Sequence, residues 1–135
     1  MRKITLIIFF CIANRSYCQT PSTYINSAED KLRLKDFKGA ILEYDKAIEM
    51  DSLEGYAYIL RGNSKAELKY YNEALLDYDR AIELMPNLSY GYSRRGNLKF
   101  YIKNYIEAIK DCNKAIELKV NNDEAYFVRD RKSVV

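Results

Sequence analysis

Histidine is absent from the 135 residues of this chain. Catalysis that needs an imidazole as general base, as partner of a serine or cysteine nucleophile, or as metal ligand is therefore excluded. Glycine, proline and cysteine are scarce, with five, two and three residues, and no glycine-rich phosphate-binding loop is present. The acidic pairs lie beside lysine or arginine in amphipathic stretches, as in solvated helix faces. We expect no enzymatic activity, no metal and no cofactor.

An excess of charge of one sign is also absent once the first residues are set aside. Arg2, Lys3 and Arg15 account for the net charge of +3, because from Gln19 onward 19 basic and 19 acidic residues balance. Affinity for nucleic acid grows with accumulated lysine and arginine. We therefore expect no nucleic-acid partner.

The first residues have the pattern of a cleaved secretory signal peptide. A basic start is followed by an apolar run at residues 4–13 and by small residues near position 18. The run falls short of the ~20 residues of a membrane-spanning helix, so no stable membrane anchor is expected. We expect residues 1–18 to be removed and the chain to be exported, to the periplasm or outside the cell.

Removal of residues 1–18 would leave Cys112 as the last cysteine of the chain. No disulfide within the mature chain is then expected, and the apolar pattern around Cys112 predicts a buried thiol. A lipid anchor at Cys11 or Cys18 is a weaker alternative, because neither residue has the sequence context that bacterial lipoprotein signals show.

What the chain does have is a pattern that recurs at a fixed interval of about 34 residues. Aromatic and small residues keep the same offsets in three copies: Tyr24, Ala28, Phe37, Ala40 and Tyr44, then Tyr58, Gly62, Tyr71, Ala74 and Tyr78, then Tyr92, Gly96, Tyr105, Ala108 and Cys112. A fixed period of this length marks a supersecondary unit that is stacked on copies of itself.

Within each copy, apolar residues follow the three-and-four spacing of amphipathic helices. Pro86 follows one of these stretches, where proline commonly ends a helix. No segment alternates convincingly with the period of two that a half-buried strand shows. We predict an all-α chain with helices at residues 22–34, 37–50, 55–68, 71–84, 89–102, 105–118 and 123–131.

Glycine within a helix costs about 1 kcal/mol relative to alanine. Gly62 and Gly96 both fall in the middle of a predicted helix. We expect Gly62 to leave room for the ring of Tyr78 on the partner helix, and Ala28 to do the same for Tyr44.

Charged residues recur with the same period. Arg61 and Lys65 lie four residues apart on one helical face and would repel each other. We predict that Asp77, on the partner helix, lies close enough to offset this repulsion. A cationic strip for acidic partners is the alternative. The same residues recur one copy later as Arg95, Lys99 and Asp111.

These residues resemble the tetratricopeptide repeat, a family of 34-residue helix-turn-helix units. Tyr58 stands at the place of its tryptophan, Gly62 at its glycine, Ala74 and Tyr78 at its Ala–Phe pair, and Pro86 at its closing proline. The resemblance implies a right-handed α–α superhelix at residues 19–135. Its repeats would lie at about residues 21–54, 55–88 and 89–122, with a partial capping copy at 123–135.

The resemblance also implies a concave groove, built mainly by the first helix of each copy, in which protein segments bind. The matching positions carry Ile25, Asn26, Glu29, Tyr56, Ile59, Leu60, Asn63, Tyr90, Arg94, Asn97, Tyr101 and Phe127. Tyrosine and arginine are frequent at binding hot spots, and asparagine can hydrogen-bond a peptide backbone. Any one of these residues could equally be a packing residue. We predict a non-catalytic scaffold that binds a peptide segment or partner protein.

Some members of the family grip the acidic C-terminal tails of cytosolic chaperones with a clamp of lysine and asparagine. Of the positions that correspond to the clamp, only the one occupied by Arg94 has a residue of the type that the clamp uses. The other positions are occupied by Ile25, Glu29, Leu60 and Tyr90. We therefore do not expect such a clamp in this chain.

Two other functions remain open at the level of the sequence. One is self-association through the C-terminal end, where Tyr126 and Val128 would expose apolar surface. The other, less favoured, is a small-ligand carrier or an enzyme accessory subunit.

Overall fold

The computed structural model describes residues 19–119 and 123–131, and their helices begin and end within one residue of the predicted positions. The described residues contain no strand, and none of their helices is long and apolar enough to cross a membrane. The predicted leader, residues 1–18, and the end of the partial copy, residues 132–135, lie outside the described part. In chain order the helices are α1 (Pro21–Arg33), α2 (Phe37–Met50), α3 (Gly55–Glu67), α4 (Tyr71–Leu84), α5 (Ser89–Tyr101), α6 (Tyr105–Leu118) and α7 (Asp123–Arg131).

The helices pack as a solenoid of pairs. Helix α1 packs on α2, α3 on α4 and α5 on α6, while α2 contacts α3 and α4 contacts α5. The last helix, α7, packs on both α5 and α6. First helices also meet directly, α3 with α5 and α5 with α7. One face of the solenoid is therefore built from first helices, as the repeat pattern implied.

Helices α1, α3 and α5 end in the same tight turn, in which a lysine adopts a left-handed backbone. Lys69 has a φ of 65°, and its N–H donates to the carbonyl of Ala66 at 2.9 Å. The N–H of Tyr70 donates to the carbonyl of Lys65 at 2.9 Å, which completes a Schellman motif. Lys35 and Lys103 repeat this conformation. Hydrogen bonds rather than glycine therefore fix the angle within each pair.

Small residues let the helices of a pair approach closely, as predicted. A Cβ atom on Gly62 would lie only 2.8 Å from Cε1 of Tyr78 and 3.3 Å from the carbonyl oxygen of Ala74. A Cβ atom on Gly96 would lie 2.9 Å from the thiol sulfur of Cys112, which is buried, as expected. In the first pair, Ala28 belongs to one buried cluster with Tyr44.

Asp77 joins two cations across the second pair, so the predicted ion cluster is confirmed. Nε of Arg61 donates to Oδ2 of Asp77 at 2.9 Å, and Nζ of Lys65 lies 2.8 Å from the same oxygen. Nη1 of Arg61 also donates to Asp45 on α2 at 2.7 Å, which ties neighbouring pairs together. The next pair repeats these bonds with Arg95, Lys99, Asp111 and Asp79.

The cluster holds its cations within the fold rather than offering them to a partner. The side chains of Arg61 and Lys65 are only 17% and 18% exposed. Burial of the guanidinium works against its charge, but hydrogen bonds to Asp77 and Asp45 outweigh burial and raise the pKa of Arg61. The cationic-strip alternative at these residues is therefore wrong.

Helix α7 keeps part of the repeat and departs from it where a second helix would dock. Arg129 lies over the ring of Tyr126 at 4.8 Å, as Arg61 lies over Tyr58 at 5.3 Å. Asp130 occupies the repeat position of Gly62 and Gly96, and it accepts a hydrogen bond from Nε of Arg129 at 2.8 Å. A polar, exposed residue therefore occupies the surface where the earlier pairs receive an aromatic ring or a thiol.

Val128 is buried on α7, so the expectation that it exposes apolar surface for self-association is wrong. It belongs to one core cluster with Ala125 and Cys112. Tyr126 is partly buried beneath Arg129. The apolar face of α7 is therefore used against its own chain.

Candidate binding groove

A groove of about 900 Å³ crosses the solenoid on the side of the first helices. Its wall includes residues of α1, α3, α5 and α7, together with the first residue of α2, α4 and α6. Because it extends over every helix pair, it has the elongated form that suits a segment of chain more than a compact small molecule.

Five of the predicted groove residues line this cavity: Asn63, Arg94, Asn97, Tyr101 and Phe127. Tyr101 and Phe127 are the most available of them, with 67% and 61% of their surface exposed. Large aromatic side chains that remain this exposed on a concave surface are suited to anchor a partner.

The other predicted residues divide into exposed and packing positions. Asn26, Glu29 and Tyr56 are exposed, and Tyr90 is partly buried beneath Arg94. Ile59 is completely buried in the core, so it supports the stack and does not face a partner. Ile25 and Leu60 are partly buried and pack against the first core cluster.

Several residues that line the groove were missed, and five of them are aromatic. Phe37, Tyr71 and Tyr105 stand at one repeat position, the first residue of each second helix, and all three line the cavity. The rings of Tyr71 and Tyr101 meet edge-on at 5.5 Å, and those of Phe100 and Tyr105 at 5.2 Å. Their shared offset is a signal that the sequence contains, although we interpreted it as helix packing.

The amide of Asn63 is held in a defined orientation. The hydroxyl of Tyr78 donates to its Oδ1 at 2.8 Å, and its Nδ2 donates to the hydroxyl of Tyr90 at 3.4 Å. A side chain restrained in this way loses little freedom when it bonds a peptide backbone, which favours binding.

The first pair lacks this arrangement because Glu29 stands at the place of Asn63. Tyr44 corresponds to Tyr78, yet its buried hydroxyl has no hydrogen-bond partner among the described residues. Burial, together with the negative charge of Glu29, raises the pKa of Tyr44 to about 12. Two equivalent tyrosines therefore differ in whether their hydroxyl is satisfied.

We predict that Tyr78→Phe lowers the free energy of unfolding by about 1 kcal/mol, because it removes the bond to Asn63. Tyr44→Phe is the matched control and should change it by less than ~0.5 kcal/mol, or raise it, because an unsatisfied hydroxyl is removed. Urea denaturation followed by circular dichroism measures both. Equal losses in the two variants would contradict the assignment.

The same variants should differ in alkali. The unfolded state loses the Tyr44 proton near its ordinary pKa of 10.0, while the folded state keeps it to about 12. The stability contributed by the neutral phenol is therefore complete below pH 10 and is lost as the pH rises from 10 to 12. Tyr44→Phe should flatten the decline of stability in this window.

The described residues contain no group of three or more histidine, cysteine, aspartate or glutamate side chains placed to hold a metal ion. The residues that line the groove offer aromatic contact, amide hydrogen bonding and cationic side chains.

Comparison with known proteins gives a consistent result at the level of sequence family and fold. Sequence models of the tetratricopeptide repeat match residues 55–88 and 89–122, which together make up half of the chain. No curated protein matches the chain.

Solved structures with similar folds include domains built from this repeat. The first such domain of Spaghetti (RPAP3), bound to the HSP90 peptide SRMEEVD, is 25% identical with a TM-score of 0.82, covering 87% of this chain and 94% of that one. The first such domain of human RPAP3 is 25% identical with a TM-score of 0.81, covering 85% and 91%. The domain of Arabidopsis OM64 is 22% identical with a TM-score of 0.78, covering 82% and 92%. The helix pairs, the shared repeat positions and the family matches together show that the chain belongs to the tetratricopeptide repeat family.

Proposed function

We propose that this protein is a non-catalytic scaffold that binds an extended segment of a partner protein in its groove. The observation that carries the proposal is the groove itself, about 900 Å³ in volume, with Tyr101 and Phe127 exposed on its wall. The restrained amide of Asn63, which lines the same cavity, can bond a peptide backbone. Aromatic anchors next to satisfied polar groups are typical of peptide-binding surfaces.

The similar RPAP3 domain, which was solved with a bound peptide, supports this proposal. We do not propose the same peptide for this chain, because only Arg94 agrees with the clamp that grips chaperone tails. Ile25 and Leu60, at two of the clamp positions, pack against the first core cluster instead. A location outside the cytoplasm is part of the proposal and rests on the leader-like residues 1–18.

A phage-displayed peptide library, selected on the immobilised protein, tests the proposal. Selected peptides should bind the protein in a fluorescence anisotropy titration, and truncation of Tyr101 and Phe127 to alanine should weaken binding at least tenfold. Each buried hot-spot side chain is worth about 1–2 kcal/mol or more, and 1.4 kcal/mol is a factor of ten.

The matched control truncates two leucines that are equally exposed but lie outside the groove. Leu42 on α2 and Leu76 on α4 are 61% and 68% exposed, and neither lines the cavity. The double alanine variant of these leucines should bind like the original protein. If no peptide is selected, or if the control loses as much affinity as the groove variant, the proposal is wrong.

A further inference from the structure

One repeat position of the first helices forms a graded series of charge across the solenoid. On α1, α3, α5 and α7 this position carries Glu29, Asn63, Asn97 and Arg131, each one repeat length after the one before. Asn63, Asn97 and Arg131 line the groove. Glu29 is exposed, and its charge acts on Tyr44, just as Asn63 bonds the equivalent Tyr78. The surface of the first helices therefore passes from a carboxylate, over two amides, to a guanidinium.

The α5–α7 end of the groove combines positive charge with aromatic rings. The guanidinium of Arg131 lies 5.1 Å from the ring of Phe127 and 5.9 Å from that of Phe100. Arg94 lies 4.8 Å from the ring of Tyr90. A guanidinium stacked on a ring is held in place while its planar edge keeps the geometry that matches a carboxylate. This end can therefore bind an acidic group beside an apolar one.

The charge of the whole cavity agrees with this polarity. Four of its lining residues are basic, Lys69, Arg94, Lys103 and Arg131, whereas Glu67 is its one acidic lining residue among those described. The whole chain beyond residue 18 is neutral, so positive charge is concentrated in the groove. An acidic segment is attracted to such a cleft, and a basic one is repelled.

We infer that the groove binds an acidic segment in one orientation, with its carboxylates at Arg94 and Arg131 and an apolar side chain against Tyr101 or Phe127. At the opposite end, Glu29 repels acidic residues and favours a neutral or basic one. This inference rests on the proposed function, and it adds the chemistry and the direction of the partner. It also differs from the chaperone-tail clamp, because Glu29 stands at a place where that clamp requires a residue that attracts carboxylates.

The dimensions of the series set the length of the segment. Packed helices lie 8–10 Å apart, and α3 contacts α5 as α5 contacts α7, so the two steps from α3 to α7 cover roughly 16–20 Å. An extended chain rises about 3.3 Å per residue. About five or six extended residues therefore reach from Asn63 to Arg131, and a longer segment continues towards Glu29.

An array of degenerate nine-residue peptides tests the inference, with the full chain as the labelled probe. Peptides that bind should be enriched in aspartate or glutamate at one end and depleted of them at the other. Arg131→Glu should weaken binding of the acidic peptides at least tenfold. Arg80→Glu is the matched control, because it makes the same charge change at an exposed ion pair outside the groove and should leave binding unchanged.

The orientation is read out directly by a nitroxide label on the acidic end of the strongest-binding peptide. In NMR spectra the label should broaden the amide signals of α7 and leave those of α1 sharp. Broadening at α1, binding without preference for acidic residues, or equal losses in Arg131→Glu and Arg80→Glu would overturn the inference while the scaffold function stands. If no peptide binds at all, the proposed function itself is overturned.

Discussion

Asp77→Ala should destabilise the protein by about 3–5 kcal/mol, which is a large part of the stability of a chain of this size. The carboxylate is 5% exposed and contacts both Arg61 and Lys65, whose side chains are less than a fifth exposed. Its removal leaves two mostly buried cations facing each other, with Asp45 as the remaining partner of Arg61. An uncompensated buried charge costs far more than the net value of the ion pair.

Asp79→Ala is the control for this prediction. Asp79 lies two residues further along α4 and also binds an arginine, at 2.6 Å from Nη1 of Arg95, but its side chain is 50% exposed. Exposed ion pairs contribute about 0–1 kcal/mol, so this variant should lose no more than that. Chemical denaturation with matched slopes measures both free energies of unfolding. Similar losses for Asp77→Ala and Asp79→Ala would contradict the importance of burial.

The helices and their pairing could be predicted from the sequence because the evidence for them is repeated. Three features recur in the next copy of the repeat: the apolar spacing, the small residue opposite a large one (Gly62 and Tyr78), and the Asp77 ion cluster. Each copy therefore provides independent support for the same interpretation. Family resemblance then indicated which helices form the groove. Each of these conclusions depends on positions whose partner lies within the same helix pair.

The predictions of exposure were wrong where a residue packs against a helix outside its own helix pair. Ile59 and Val128 stand at offsets that could face solvent, yet the neighbouring helices bury both of them. Arg131 was not among the predicted groove residues, although it lies one repeat length after Asn97 and lines the groove. The turns that end the first helices were not predicted either. Their left-handed residues are Lys35, Lys69 and Lys103, whereas glycine is the residue that usually indicates such a turn.

Gly62→Leu should lower the free energy of unfolding by roughly 1–3 kcal/mol, because the second helix pair cannot close around a larger residue. Even a Cβ atom there would lie 2.8 Å from the ring of Tyr78 and 3.3 Å from the backbone of Ala74. Leucine is a better helix former than glycine by almost 1 kcal/mol, so the measured loss is what remains after that gain. The ring of Tyr78 would also be displaced from Asn63, so peptide binding in the groove should weaken together with stability.

Asp130→Leu separates the effect of close packing from the effect of leucine itself. Position 130 is the same repeat place on α7, but no second helix packs over it among the described residues, and the aspartate side chain is 63% exposed. The same leucine should therefore change stability by no more than about 0.5 kcal/mol there. If Asp130→Leu proved as destabilising as Gly62→Leu, the close approach of α3 and α4 would not be the reason for glycine. The expected contrast would show that the residue at this repeat position must be small because a partner helix packs against it.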